Sequence, residues 1–250
     1  MDKTYTGEGR VVLISGGGQC NTAMAARFVS SEKKLDQIIA TPYDADLVRK
    51  IVESGHKAAT EFDYFIFGIE GYSRVCEVQL VRKRHANYLI KTGRKEKGGK
   101  RSFDMVIPKD IEGFEVFHEG RGQSFNSDDI LEIIELWYNR GVELGIKEED
   151  LRYLKPQATE YKAIIGMNAH ALLDWFQIRC CLNAQEEIRD MAWKMLHICK
   201  DVMPEVFENA GSSCKVLGYC PENKFQNKKC VGIFPTKIEA MNIIKENWKI

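Results

Sequence analysis

Apolar positions along this chain of 250 residues follow two periods, and their succession sketches a mixed fold. Residues 11–15 form an unbroken apolar run closed by Gly16, Gly17 and Gly18, which reads as a strand and a flexible turn before a helix over about 21–29. In 43–54, Leu47, Val48, Ile51 and Val52 have helical spacing, and Gly55 is the stop. The aromatic and β-branched run YFIFGI at 64–69 predicts a buried strand, so Tyr64, Phe65 and Phe67 read as core rather than as a stacking platform. A helix over 73–81 follows, with Val75, Val78 and Leu80 toward its buried face. Residues 103–107 predict a strand ended by Pro108. Residues 127–144 predict a helix capped by Ser127, with apolar positions at Ile130, Ile133, Ile134 and Trp137. A strand over 161–167 leads into a helix over 168–178 ending at Arg179. Asn183 and Glu186 have the spacing of a capping box, opening a helix to about 202, and 237–248 reads as a terminal helix. Strands and helices mix without strict alternation, which predicts an α+β class: one compact domain with a mixed sheet flanked by helices. Residues 1–205 would be its body, and 206–250 a cysteine-bearing tail of the same domain.

Composition narrows the function. With 44% hydrophobic and 29% charged residues and a formal net charge of zero, the chain suits a soluble enzyme and gives no electrostatic reason to bind a nucleic-acid polymer or a membrane. No apolar run approaches the roughly 20 residues of a membrane span, and MDKTYTGEGR lacks the apolar segment of a signal peptide. A cytoplasmic protein with mostly reduced thiols is expected. Charge is uneven, however. From Arg82 to Arg101 nearly every charged residue is basic, Glu96 being the single acid, which fits a small anionic ligand. At the centre lies QLVRKRHANYLIKTGR, residues 79–94, whose guanidinium forks suit phosphate and flat electron-rich rings.

Other candidates are weaker. The glycine turn at 16–18 matches neither the dinucleotide fingerprint nor a P-loop, and reads as a turn. His56 and Glu61 read as a structural hydrogen-bonding pair. Cys214, Cys220 and Cys230, with His197 and Cys199 upstream, are a weak metal candidate because no C-x-x-C pair is present. No metal is expected, and the cysteines read as free thiols.

The stretch GHKAATEFDYFIFGIEGYSRVCEVQLVRKRHANYLIKTGR resembles the core of the flavin-dependent thymidylate synthases, the ThyX family. That family shows Gly-His and Glu-His, an aromatic strand, and then an R-H-R-x-x-S-x(4)-S-x-R signature. A second block, Arg152 with Pro156 and Thr159, then MNAHALLDWFQIR and AQEEIRDMA, resembles further family elements in the same order.

The resemblance implies a homotetramer that binds FAD, dUMP and methylenetetrahydrofolate, with NADPH reducing the flavin and no enzyme cysteine as nucleophile. It assigns dUMP to Gln79, Arg82, Thr92, Arg94, Arg152 and Arg179. Arg179 polarises the uracil, and Thr92 keeps the hydroxyl of the closing Ser-x-Arg. FAD falls to His56, Arg82, Lys83, Arg84, Asn168, His170 and Asp174. Several positions depart from the family. Lys83 replaces the signature histidine, Asn87 its first serine, and Leu89-Ile90 an Asn-Glu pair. Phe62 replaces the histidine of Glu-His, His170 an arginine, and Asp174 an Asn or His. The alternatives are a paralogue acting on another pyrimidine nucleotide and a nucleotide-binding protein without activity.

Overall fold

Two strands carry most of the apolar alternation, and the helices that leave their ends position the charged residues. The computed structural model describes residues 9–17, 21–91, 104–112, 114–222 and 226–248. In chain order the elements are β1 (Arg10–Ser15), α1 (Asn21–Ser30), α2 (Leu35–Ile39), α3 (Ala45–Glu53), β2 (Tyr64–Ser73), α4 (Arg74–Leu80) and β3 (Asn87–Ile90). Then come β4 (Val116–His118), β5 (Gln123–Phe125), α5 (Ser127–Glu143), α6 (Glu148–Leu151), β6 (Glu160–Asn168) and α7 (Ala169–Arg179). The last are α8 (Glu186–Val202), α9 (Pro204–Phe207), α10 (Ser213–Leu217) and α11 (Lys237–Trp248). Four strands hydrogen-bond in the order β1-β2-β6-β3, and β4 pairs antiparallel with β5, Phe117 opposite Ser124. The α+β expectation holds.

The strands form because their inward positions are large and apolar: Phe65, Phe67 and Ile69 on β2, and Tyr161, Ala163, Ile165 and Met167 on β6, are all buried. The chain divides into two compact units, one drawn from residues 1–10, 69–80 and 89–163, the other from 11–68, 81–88 and 164–250. In the first, Met105, Leu131, Tyr138 and Leu151 make a core, with Ile134 and Leu154 against it. In the second, Phe207 meets Phe65 and Phe176 edge to face, with ring centroids 5.5 and 6.1 Å apart. The buried faces of α7 and α8 (Leu172, Phe176, Met195 and Leu196 among them) extend this core. No helix among the described residues is long and apolar enough to cross a membrane.

Several expectations need correction. On α4 the buried side chains are Cys76 and Leu80, while Val75 and Val78 face outward, since a helix this short buries only one narrow stripe. On α5 Ile130, Ile133 and Trp137 are exposed, whereas Leu131, Tyr138 and Gly141 are buried. Asn126 rather than Ser127 caps α5, its side chain accepting from Asp129 N while Asp129 answers to Asn126 N. The cap of α8 is Gln185, not Asn183. In place of a strand over 103–107 there is one bridge, Met105 to Thr159, and Phe103 lies outside the described residues.

Candidate functional site

The glycine turn leads into α1, whose first amides meet a protein carboxylate. Buried Asp63 accepts from Asn21 N at 2.7 Å, from Thr22 N at 2.9 Å and from Thr22 Oγ1 at 2.6 Å. A helix N-terminus is a natural anion site, and here it is filled from within the chain. The carbonyl of Asp63 also accepts from Ala169 N at 2.8 Å. One residue thus ties the start of α1 to the start of α7. The sequence reading missed it, because a lone Asp before a strand carries no local signal.

Helix α7 follows directly from β6. Asn168 is its N-cap, Oδ1 accepting from Ala171 N at 2.8 Å, so its amide nitrogen is the part suited to a ligand. His170 and Asp174 lie one turn apart, on the same side of the helix. His170 Nδ1 is 3.1 Å from Glu61 Oε1, and Lys83 Nζ is 3.7 Å from Asp174 Oδ2. The expected His56–Glu61 pair is therefore replaced. Glu61 turns to His170, and His56 sits exposed at the head of a 3-10 turn, Lys57–Phe62. Lys83 and Asp174, both departures from the family pattern, meet each other.

The arginine stretch begins where α4 ends. Gln79 is half-buried on α4. Arg82 and Arg84 are exposed in the turn that follows, while Lys83 is drawn inward, its side chain 17% exposed. The turn is held by Tyr88, whose hydroxyl donates to the Lys83 carbonyl at 2.9 Å. Burial pushes the Tyr88 phenol up to about 12, so it remains a donor throughout the physiological range. Asn87, in place of the signature serine, donates through Nδ2 to the Tyr64 hydroxyl at 2.6 Å. Leu89 is exposed and Ile90 half-buried. Arg74, paired with Glu77, donates through Nη2 to the Lys91 carbonyl at 3.0 Å. Thr92 and Arg94 lie outside the described residues. Arg152 is exposed at the head of the 3-10 turn Arg152–Leu154.

Arg179 is the last residue of α7, half-buried, and lines a cavity of about 440 Å3 together with the α7–α8 turn and the segment after α9. Cys180, Cys181, Cys214, Cys220 and Cys230 line the same cavity. Burial, and then the neighbouring Cys220, Cys181 and Cys214, push the Cys230 thiol up. Burial also holds Cys180 up at about 12 and raises Cys199, neither of which is poised as a thiolate nucleophile. Among the described residues, no group of three or more His, Cys, Asp or Glu is placed to hold a metal ion. A second cavity, of about 500 Å3, is lined by residues including Met24, Arg27, Ile38 and Met203 and contains none of the arginines matched to the family.

For a flavin dinucleotide the donor set is suitable. Arg82 and Arg84 are exposed guanidiniums in no ion pair with any described residue, and guanidinium forks suit a pyrophosphate. Asn168 adds an amide donor, and His170 and Asp174 offer polar groups on the adjoining turns of α7.

The family model described as "Thymidylate synthase complementing protein" matches residues 11–205. The chain is 39% identical over 184 residues to the flavin-dependent thymidylate synthase of Nitratidesulfovibrio vulgaris, covering 71% of this chain and 72% of the relative. It is 36% identical over 203 residues to the enzyme of the same description from Geobacter sulfurreducens, covering 80% and 84%. Among solved structures, the UMP/dUMP methylase PolB from Streptomyces cacaoi bound with 5-Br dUMP matches with a TM-score of 0.64, over 80% of this chain and 94% of that one. At 20% identity, that likeness speaks for the fold.

Proposed function

The chain belongs to the flavin-dependent thymidylate synthase family, and from that premise we propose that it methylates C5 of dUMP to give dTMP. The observation that carries the proposal is the match across 11–205, which spans both Arg82–Arg84 and the Arg152 to Arg179 block. Methylenetetrahydrofolate is the carbon donor and NADPH the source of reducing equivalents. FAD, when bound, supplies the hydride. The chain's own residues bind, orient and neutralise.

Arg152, with Arg94 and Thr92, is assigned to the nucleotide, where a guanidinium fork meets a dianionic phosphate in two parallel charge-assisted bonds. Gln79 and Arg82 flank the same ligand. Arg179 stands at the uracil, where a fixed positive charge stabilises the negative charge that builds as C5 becomes nucleophilic. Its place at the C-terminal end of α7, backed by buried Leu172, Trp175 and Phe176, supports that role, because a side chain on a rigid element keeps its aim. Asn168, His56, His170, Asp174, Lys83, Arg82 and Arg84 hold FAD. The raised Cys180 thiol is consistent with chemistry that uses no cysteine nucleophile.

A homotetramer in the cytoplasm completes the reading. The outward stripe of α5, with Ile130, Ile133, Leu136 and Trp137 each at least 47% exposed, is the kind of face that subunit contact covers. The segment 206–250 is read as part of the same domain as the body, a reading supported by the hydrogen bond from Ser213 Oγ to the Gln177 carbonyl at 3.1 Å.

Purified protein should be yellow and should form dTMP from dUMP when given methylenetetrahydrofolate and NADPH, with UMP as the parallel substrate control. Arg179→Ala should lower kcat by about 10²–10³ while flavin content and subunit assembly stay unchanged. Full turnover in Arg179→Ala would remove the role given to that residue. Binding of dUMP without NADPH oxidation in the natural protein would remove the enzyme.

A further inference from the structure

On the reading that this chain holds FAD, we infer that Tyr64 is a further cofactor-binding residue, its ring the floor under a flat ring of FAD and Asn87 the side chain that pins it. The family resemblance assigns neither residue to the cofactor. The run YFIFGI predicts Tyr64 in the core with Phe65 and Phe67. It lies instead on the outer face of β2, 42% exposed, because alternate residues of a strand point to opposite sides.

A glycine makes the arrangement possible. Tyr64 on β2 reaches over β6 to β3, where Asn87 Nδ2 donates to its hydroxyl at 2.6 Å. At the crossing β6 carries Gly166. A Cβ there would stand 2.6 Å from the Tyr64 hydroxyl oxygen and 2.8 Å from Cε1, closer than non-bonded atoms pack. The ring therefore lies low over bare backbone and keeps its exposure on the outer side. Asn87 stands where the family signature has serine, a shorter side chain with less reach. On the same face Ile14, 56% exposed, lies over Gly68, 3.3 Å from the place of a Cβ. Together the two side chains make a flat floor over the strands.

The groups at the edge of this floor select the occupant. The bond from Ala169 N to the Asp63 carbonyl sets Tyr64 beside Asn168, the N-cap whose amide nitrogen suits a ligand. Asn87 in turn follows closely on the exposed turn of Arg82 and Arg84. A flat aromatic surface next to an amide donor and guanidinium forks matches a molecule that joins flat rings through a pyrophosphate, as FAD does. The Tyr64 hydroxyl accepts from Asn87 and donates to no described residue, so its proton is left for the cofactor.

The test is FAD titration of the full chain without substrate, reading the dissociation constant and the fluorescence of the bound flavin, which a stacked tyrosine quenches. Tyr64→Leu should raise the FAD Kd about three- to tenfold, the loss of one aromatic stack, and brighten the bound flavin. Tyr64→Phe should keep most of the affinity but also brighten the flavin, a change that a merely structural tyrosine would not produce. Asn87→Ser frees the ring and should raise Kd by less than Tyr64→Leu, with circular dichroism reporting an intact fold throughout. Natural affinity and natural fluorescence in Tyr64→Leu would overturn the proposal. Loss of FAD that only follows loss of subunit assembly would give the floor to a second copy, and would overturn it too. A folded natural chain that takes up no FAD would overturn it together with the flavin reading. The titration needs no turnover, so failure of dTMP formation and failure of the Tyr64 contact are separate results.

Discussion

The charged groups around α7 and those on the arginine turns are balanced in opposite ways. On α7, His170 meets Glu61 at 3.1 Å and Asp174 meets Lys83 at 3.7 Å. Arg82, Arg84 and Arg152 are exposed and form no ion pair with any described residue. The first set contains the positions where this chain departs from its family, and the departures compensate one another: a lysine in the signature finds an aspartate on the helix. The second set keeps the family residues, and on the proposed function their charge is left for a ligand. On that reading, divergence has been absorbed where the protein supplies both partners, and the residues proposed to meet an external anion have been kept.

The largest effect that would break this comparison belongs to Arg152. Arg152→Ala should lower kcat/KM for dUMP by about 10²–10³, the loss of a charge-assisted phosphate contact, with the melting temperature unchanged because the side chain is exposed. Arg152→Lys should recover only part, since an ammonium replaces the charge and not the fork. Steady-state kinetics beside thermal unfolding reads both. Unchanged kinetics would make Arg152 an ordinary solvated charge.

How far the sequence discloses this depends on the range of the interaction. The strands, and the helices over α3, α7 and α8, are legible because their periodicity is local. On α5 two apolar stripes exist, Leu131, Ile134 and Tyr138 on one and Ile130, Ile133 and Trp137 on the other. Periodicity cannot say which stripe meets the chain's own core, and the structure buries the first. The hairpin β4–β5 escaped notice because strands of three residues offer too few alternations to count. The arginines were found through an ordered motif. The pairing of Glu61 with His170 was not, since the two are 109 residues apart and only the fold brings them together.

A double-mutant cycle on Lys83 and Asp174 sharpens the balanced half. At 3.7 Å, with Asp174 half-exposed, the pair should contribute less than about 1 kcal/mol to stability. Its effect on FAD should be larger: Lys83→Ala is expected to raise the FAD Kd about tenfold, with Asp174→Ala adding little on top, because the pair acts as a unit. Flavin titration of the four proteins decides. If Asp174→Ala alone leaves FAD binding intact while Lys83→Ala abolishes it, the two residues do not act as a unit and the compensation is incidental.

The smallest effect concerns a balanced group away from α7. Glu70 on β2 lies 3.2 Å from Lys162 Nζ and 3.2 Å from Arg10 Nη1. Lys162 first, then Arg10, hold its carboxyl below the ordinary value of 4.5. A lowered pKa in the folded state means that folding releases a proton. The contribution to stability is therefore complete above about 4.5 and is lost as pH falls through the folded-state value. Glu70 is 39% exposed, so solvent screens the pair and the contribution stays below about 1 kcal/mol. Glu70→Gln should lower the melting temperature by a degree or two at pH 7 and by less at an acid pH below 4.5, where the natural carboxyl begins to lose the charge that its partners stabilise. An equal loss at both pH values would assign the effect to the packing of the side chain, and would remove Glu70 from the balanced charges.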